Sequence, residues 1–217
     1  MSLDLSVYLV TDSRLAEAAG HDLVELVRAA AGNGVTAVQV REKDAPAARF
    51  LRTVLRIADV LPEGVALLVN DRVDVFLAAR AAGAAVAGVH VGQSDLPAEA
   101  VRAIIGPDAV LGLSASTPEQ LRLAASGAAR VDYVGIGAVH ATTTKRDAPE
   151  ALGLDRFARL VAASPLPSVG IGGVTTADLP SMRAGGAAGA AVVSAVCSAP
   201  DPAAAARALR AAWGSAA

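Results

Sequence analysis

One pattern recurs along this chain and leaves few folds open to it. A short run of aliphatic and β-branched residues is followed by a polar or glycine-bearing break. An Ala-, Leu- and Arg-rich segment with apolar residues three and four apart comes next. The short runs suit strands buried on both faces, and the longer segments suit amphipathic helices. Strands are expected at 7–10, 37–40, 66–69, 88–91, 110–113, 133–136, 168–171 and 190–193. Helices are expected from Leu23 to Gly32-Asn33-Gly34, from Asp44 or Pro46 to just before Pro62, over 73–82, and from Pro97 to Gly106-Pro107. Further helices are expected from Thr117-Pro118-Glu119, and over 154–163, 177–184 and 202–212.

Eight such units in 217 residues predict an α/β fold, a single-domain (β/α)8 TIM-type barrel over residues 1–217. The rival is an open doubly wound sheet. Polar and glycine punctuation follows nearly every strand. Closure brings those strand ends to one mouth, whereas an open sheet spreads them along an edge, so the barrel is favoured.

Charge narrows the partners. Acidic residues number 21 and basic ones 19, both spread along the chain, so neither a nucleic-acid nor a membrane surface is expected. The uncharged runs near 160–177 and 184–200 are broken by Gly or Pro, and residues 1–5 lack the pattern of a signal peptide. The single cysteine, Cys197, sits in a small apolar run and is expected to be a buried structural thiol, in keeping with a cytoplasmic setting. Alanine-rich helix faces suit packing inward or against a second copy, and a homodimer stays open.

The strand ends carry the chemistry. After the second strand, Gln39, Arg41 and Lys43 alternate onto one face, an amide below two cations. The third strand ends in Asn70-Asp71 and the fourth in His90-Val91-Gly92-Gln93-Ser94-Asp95. Asp71 and Asp95 either cap the helices that follow or share a metal. Mg2+ favours one or two carboxylates completed by substrate phosphate and water. His90 is expected to be a packed, hydrogen-bonded histidine. Ser114, after the fifth strand, lacks a nucleophile elbow or any readable base, and reads as a hydrogen-bonding wall residue.

The sixth strand opens into a loop with Thr142, Thr143, Thr144, Lys145 and Arg146, hydroxyls and cations suited to a phosphorylated ligand. The seventh strand gives Gly170-Ile171-Gly172-Gly173 and the eighth Val193-Ser194. In barrels those two loops commonly hold a monophosphate on backbone N–H groups. One anion site is therefore cationic and suited to a diphosphate with metal, and the other is glycine-lined and suited to a monophosphate. Two phosphorylated small molecules in one mouth suggest that they are joined, with diphosphate leaving.

Taken in order, Gln39-Val40-Arg41-Glu42-Lys43, Asn70-Asp71-Arg72, residues 88–95, Thr142-Thr143-Thr144-Lys145, Gly170-Ile171-Gly172-Gly173 and Val192-Val193-Ser194 resemble the thiamine phosphate synthase family, and the likeness spans nearly the whole chain. The resemblance implies condensation of 4-amino-2-methyl-5-hydroxymethylpyrimidine diphosphate with thiazole phosphate. Diphosphate departs first, and the thiazole nitrogen captures the pyrimidine-methyl cation. It implies that Gln39, Arg41, Lys43, Asn70, Ser114 and Lys145 hold the pyrimidine diphosphate, with Arg41, Lys43, Ser114 and Lys145 acting on the reaction. It further implies that Asp71 and Asp95 bind Mg2+, and that Thr142, Thr143, Thr144, Gly173, Val193 and Ser194 hold the thiazole phosphate. One departure stands out: after Gly137 the family usually has proline, a branched residue and an aromatic, and here the run is Ala138-Val139-His140. A loop histidine keeps a related thiazole phosphate tautomerase, and a non-catalytic thiamine-phosphate-binding relative, as alternatives.

Overall fold

The computed structural model describes residues 3–142 and 150–214. Along the chain run β1 (Val7–Val10), α1 (Ser13–Ala18), α2 (Leu23–Ala31), β2 (Ala37–Val40), α3 (Ala47–Val60), β3 (Ala66–Asn70), α4 (Val73–Ala81), β4 (Gly88–Val91) and α5 (Ala98–Ile105). Then come β5 (Val110–Ser114), α6 (Pro118–Ser126), β6 (Tyr133–Gly137), α7 (Gly153–Ala163), β7 (Ser168–Ile171), α8 (Leu179–Ala184), β8 (Gly189–Val192), α9 (Ser194–Cys197) and α10 (Pro202–Gly214). All neighbouring strands pair in parallel and β1 pairs with β8, so the sheet closes into the expected (β/α)8 barrel. No described helix is long and apolar enough to cross a membrane.

Alternation along each strand builds two cores. Leu9, Val38, Val69, Val89, Leu111 and Val134 face outward and pack beneath the helices with Phe50, Ile57, Phe76 and Phe157. Tyr8, Val10, Ala37, Leu68, Tyr133, Val169 and Ala191 fill the interior, with Leu5 of the N-terminal segment packed among them. Each large apolar side chain buried this way contributes about 1.5–3 kcal/mol. The interior has room for Tyr133 beside His90 because position 112 is glycine: a Cβ there would lie 2.3 Å from Tyr133 Cζ and 2.5 Å from His90 Nδ1.

Arg102 secures the end away from the mouth. Its buried guanidinium donates to the carbonyls of Ala129 (2.8 Å), Ala109 (2.6 Å), Gly106 (2.9 Å) and Arg130 (2.8 Å), and to Asp132 Oδ2 at 2.9 Å. It thereby ties together the turns that enter β5 and β6.

Several boundaries differ from expectation. β3, β5 and β6 each run one residue further toward the mouth, to Asn70, Ser114 and Gly137. β8 ends at Val192, because the chain turns at Val193 into α9. α8 starts at Leu179 rather than residue 177, because Asp178 closes a turn onto Thr175 first. The sequence pattern did not announce α1 or α9. Both are under seven residues, too short for helical periodicity to register.

Candidate active site

Extending β2 carries Arg41 to the rim. Its backbone N–H donates to Thr11 Oγ1 at 3.0 Å, and its Nη1 lies 3.8 Å from Asp12 Oδ2. Asp12 is buried and caps α1, its Oδ1 accepting from Arg14 N and Leu15 N at 3.1 Å. Thr11 and Asp12, at the end of β1, thus hold Arg41 in place. Gln39 is buried, as its inward alternation requires, and Lys43 stands exposed beyond it. Glu42 turns the other way, accepting from Ser13 Oγ at 3.0 Å.

The capping explanation for the two acids fails. Arg72 and Pro97 occupy the N-cap positions of α4 and α5, and neither helix receives a side-chain cap bond. Asp95 Oδ2 instead accepts from Gly92 N at 2.7 Å within the β4 loop. Asp71 adopts φ 59°, a left-handed conformation uncommon outside glycine. Burial and then the neighbouring charge of Asp95 push its carboxyl up to about 6, against the lowering effect of Asn70 and Arg41. Two carboxylates that repel one another beside a cation fit a hard divalent ion completed by ligand oxygens. Among the described residues no cluster of three or more metal-ligating side chains forms.

Ser114 has a partner that its sequence surroundings concealed. His90 Nε2 lies 3.0 Å from Ser114 Oγ, because β4 and β5 pair with His90 opposite Gly112 and both side chains enter the interior. His90 Nδ1 meets Tyr133 Oη at 2.9 Å, Tyr133 Oη meets Tyr8 Oη at 2.8 Å, and Gln39 Nε2 donates to Tyr8 Oη at 2.6 Å. The expectation of a hydrogen-bonded histidine holds, and Ser114, which no readable motif pairs with a base, has the His90 ring beside it. The arrangement is still no nucleophile triad, since a phenol and not a carboxylate meets the far ring nitrogen.

Across the mouth, Gly172 and Gly173 take φ of 96° and 65°. A Cβ on Gly173 would lie 2.8 Å from His140 Cβ and 2.9 Å from the Ala141 carbonyl, so the β6 and β7 loops meet there backbone to backbone. Val193 and Ser194 form the turn into α9 beside them. Thr142 is half-buried on the β6 loop, while Thr143, Thr144 and Lys145 lie outside the described residues. His140 Nε2 sits 3.0 Å from Asp178 Oδ1, and Asp178 Oδ2 accepts from Thr175 N and Oγ1. Burial raises the Asp178 carboxyl, but the bonds from Thr175 and His140 outweigh it and leave it below its ordinary value. Cys197 is buried as expected, with burial pushing its thiol up to about 11.

Fold and mouth together define a class: (β/α)8 barrels whose polar and charged residues gather at the carboxyl ends of the strands. The thiamine monophosphate synthase family profile matches residues 7–196. Relatives include thiamine-phosphate synthases of Azorhizobium caulinodans, 47% identical over 95% of this chain and 94% of that protein, and of Roseiflexus castenholzii, 46% identical over 94% and 86%. Among solved structures, thiamine phosphate pyrophosphorylase from Pyrococcus furiosus superposes with a TM-score of 0.84 at 32% identity, over 98% of this chain and 96% of that one. A 3-hexulose-6-phosphate synthase, at 19% identity and a TM-score of 0.70, shares the fold alone. The chain belongs to the thiamine monophosphate synthase family.

Proposed function

We propose that the mouth joins hydroxymethylpyrimidine diphosphate to thiazole phosphate, giving thiamine phosphate and diphosphate, with Asp71 and Asp95 holding Mg2+. The observation that carries this reading is the acid pair itself. Neither carboxylate caps a helix, and Asp95 and Arg41 stand near enough to Asp71 to influence its ionisation, an arrangement suited to a cation. Arg41, Lys43 and Lys145 offset the diphosphate charge, Gln39 and Asn70 orient the pyrimidine, and Ser114 faces the diphosphate oxygens. Thr142, Thr143, Thr144, Gly173, Val193 and Ser194 take the thiazole phosphate.

Mg2+ held by Asp71 and Asp95 would supply further charge neutralisation to the leaving diphosphate. The C–O bond to diphosphate breaks with its electron pair passing to oxygen, and the thiazole nitrogen's lone pair forms the new C–N bond. No protein nucleophile enters the balance, so the chain's residues position, exclude water and stabilise the leaving group. The tautomerase alternative is not favoured, because the relatives across the whole chain are thiamine-phosphate synthases and a tautomerase has no use for the acids and cations of a diphosphate site. A reducing cytoplasm suits the lone buried thiol. The exposed Leu77, Ile104 and Leu123, on α4, α5 and α6, would be covered in a homodimer, which sedimentation decides.

The test is release of diphosphate from the two substrates, with and without Mg2+, in wild type and in Asp71→Ala and Lys145→Ala. Loss of release in both folded variants supports the reading, and full activity in both refutes it.

A further inference from the structure

Five side chains on four strands and β1 form an unbroken hydrogen-bonded line across the barrel interior: Gln39, Tyr8, Tyr133, His90 and Ser114. Its two ends, on β2 and β5, are both assigned above to the pyrimidine diphosphate. Its middle members carry no role in that assignment. Gly112 of β5, which pairs with Tyr133 of β6, leaves the space that Tyr133 and His90 occupy.

Each link holds one hydrogen, and with His90 neutral and both phenol hydrogens kept within the line, two proton orders run unbroken from Gln39 to Ser114. In the first, Gln39 Nε2 donates to Tyr8, Tyr8 O–H donates to Tyr133, and Tyr133 O–H donates to His90 Nδ1. A neutral His90 then carries its proton on Nε2 and donates to Ser114 Oγ, which frees the Ser114 hydrogen for a ligand. The second order reverses every link. It turns the Gln39 amide, puts the proton on Nδ1, and spends the Ser114 hydrogen on His90. Burial pushes Tyr8 up to about 12 and Tyr133 well above a phenol's usual value, so both phenols keep their protons and neither order is broken by ionisation. An anionic ligand separates the two orders. The reversed one would turn serine lone pairs toward phosphate oxygens, whereas the first offers them an O–H donor.

We propose that Tyr8, Tyr133 and His90 are positioning residues whose proton order fixes Ser114 as a hydrogen-bond donor to the pyrimidine diphosphate and leaves Gln39 its amide oxygen as an acceptor. This rests on the assignment of that substrate to this mouth. It also gives His90 a role opposite to that of a base: it donates to the serine instead of drawing its proton.

The test is two-bond 1H–15N correlation of the histidine rings at one fixed pH. The chain has only three histidines, so His21→Gln and His140→Gln variants assign His90. The expected signature is a neutral ring protonated on Nε2, and a ring protonated on Nδ1 overturns the proposal. In Tyr133→Phe the tautomer should no longer be fixed, and KM for the pyrimidine diphosphate should rise about tenfold while KM for thiazole phosphate holds. On a Ser114→Ala background the same change should add nothing further, because Tyr133 acts through Ser114. An equal loss on both backgrounds overturns the proposal. If Tyr133→Phe does not fold, the wild-type signature alone decides. Protein with the Nε2 signature but no diphosphate release supports the proton order and refutes the functional reading instead.

Discussion

Asp71 makes the metal assignment measurable before any substrate is added. Its carboxyl is pushed from 3.8 up to about 6, first by burial and then by the charge of Asp95 beside it. A metal needs the ionised form. With a midpoint of about 6, about one Asp71 in ten is ionised at pH 5 and nearly all are at pH 8, so Mg2+ should bind up to about tenfold more weakly at pH 5. Asp71 keeps solvent contact at the rim, which screens the effect and makes tenfold the upper bound. The same shift has a stability consequence. The folded value lies above the unfolded one, so the contribution is present below about pH 4 and is lost as pH rises through about 6. Carboxyl 13C titration of the metal-free protein reads the midpoint directly. Asp95→Asn should lower it, and Asp71→Asn should remove the stability slope. An Asp71 midpoint near 4 in wild type, or one that ignores Asp95→Asn, refutes the reasoning.

Three further substitutions probe other parts of the account. Gly112→Ala places a methyl within 2.5 Å of Tyr133 and His90; it should cost about 1–3 kcal/mol in urea unfolding and disrupt the His90 tautomer signal. Arg102→Met leaves several buried carbonyls without a donor and should cost about 3–5 kcal/mol, with the kcat of the folded fraction unchanged because the cluster lies at the far end of the barrel. Gly173→Ala meets both a positive φ and the His140 contact; steady-state kinetics should show a raised KM for thiazole phosphate and an unaltered KM for the pyrimidine diphosphate.

Much of the barrel was legible because its signal is periodic and local. Strand runs, helix periods and caps such as Thr117, whose Oγ1 accepts from Gln120 N at 3.2 Å, are written within a few residues of each other. Placing Gln39 and Arg41 on one face needed only the two-residue period of a strand. What escaped depends on register between distant strands. Tyr8 and Tyr133 are separated by 125 positions, and His90 reaches Ser114 only because β4 pairs with β5 as it does. Asp71 and Asp95 were ambiguous in sequence because an acid after a strand has the spacing of a helix cap. Only the observed caps, Arg72 and Pro97, remove that reading. The Asp178–His140 pair carried one possible signal, a Thr175-to-Asp178 spacing suited to a side-chain-closed turn.

The central claim is that a metal-bound diphosphate departs at this mouth without a protein nucleophile. Single-turnover release of diphosphate, followed with Mg2+ and with chelator in wild type and Asp71→Ala, tests it most directly. The account predicts a burst that requires both Mg2+ and Asp71, with no pyrimidine-labelled protein at any time. A covalent pyrimidine–protein adduct, or release that proceeds equally in chelator, would contradict it.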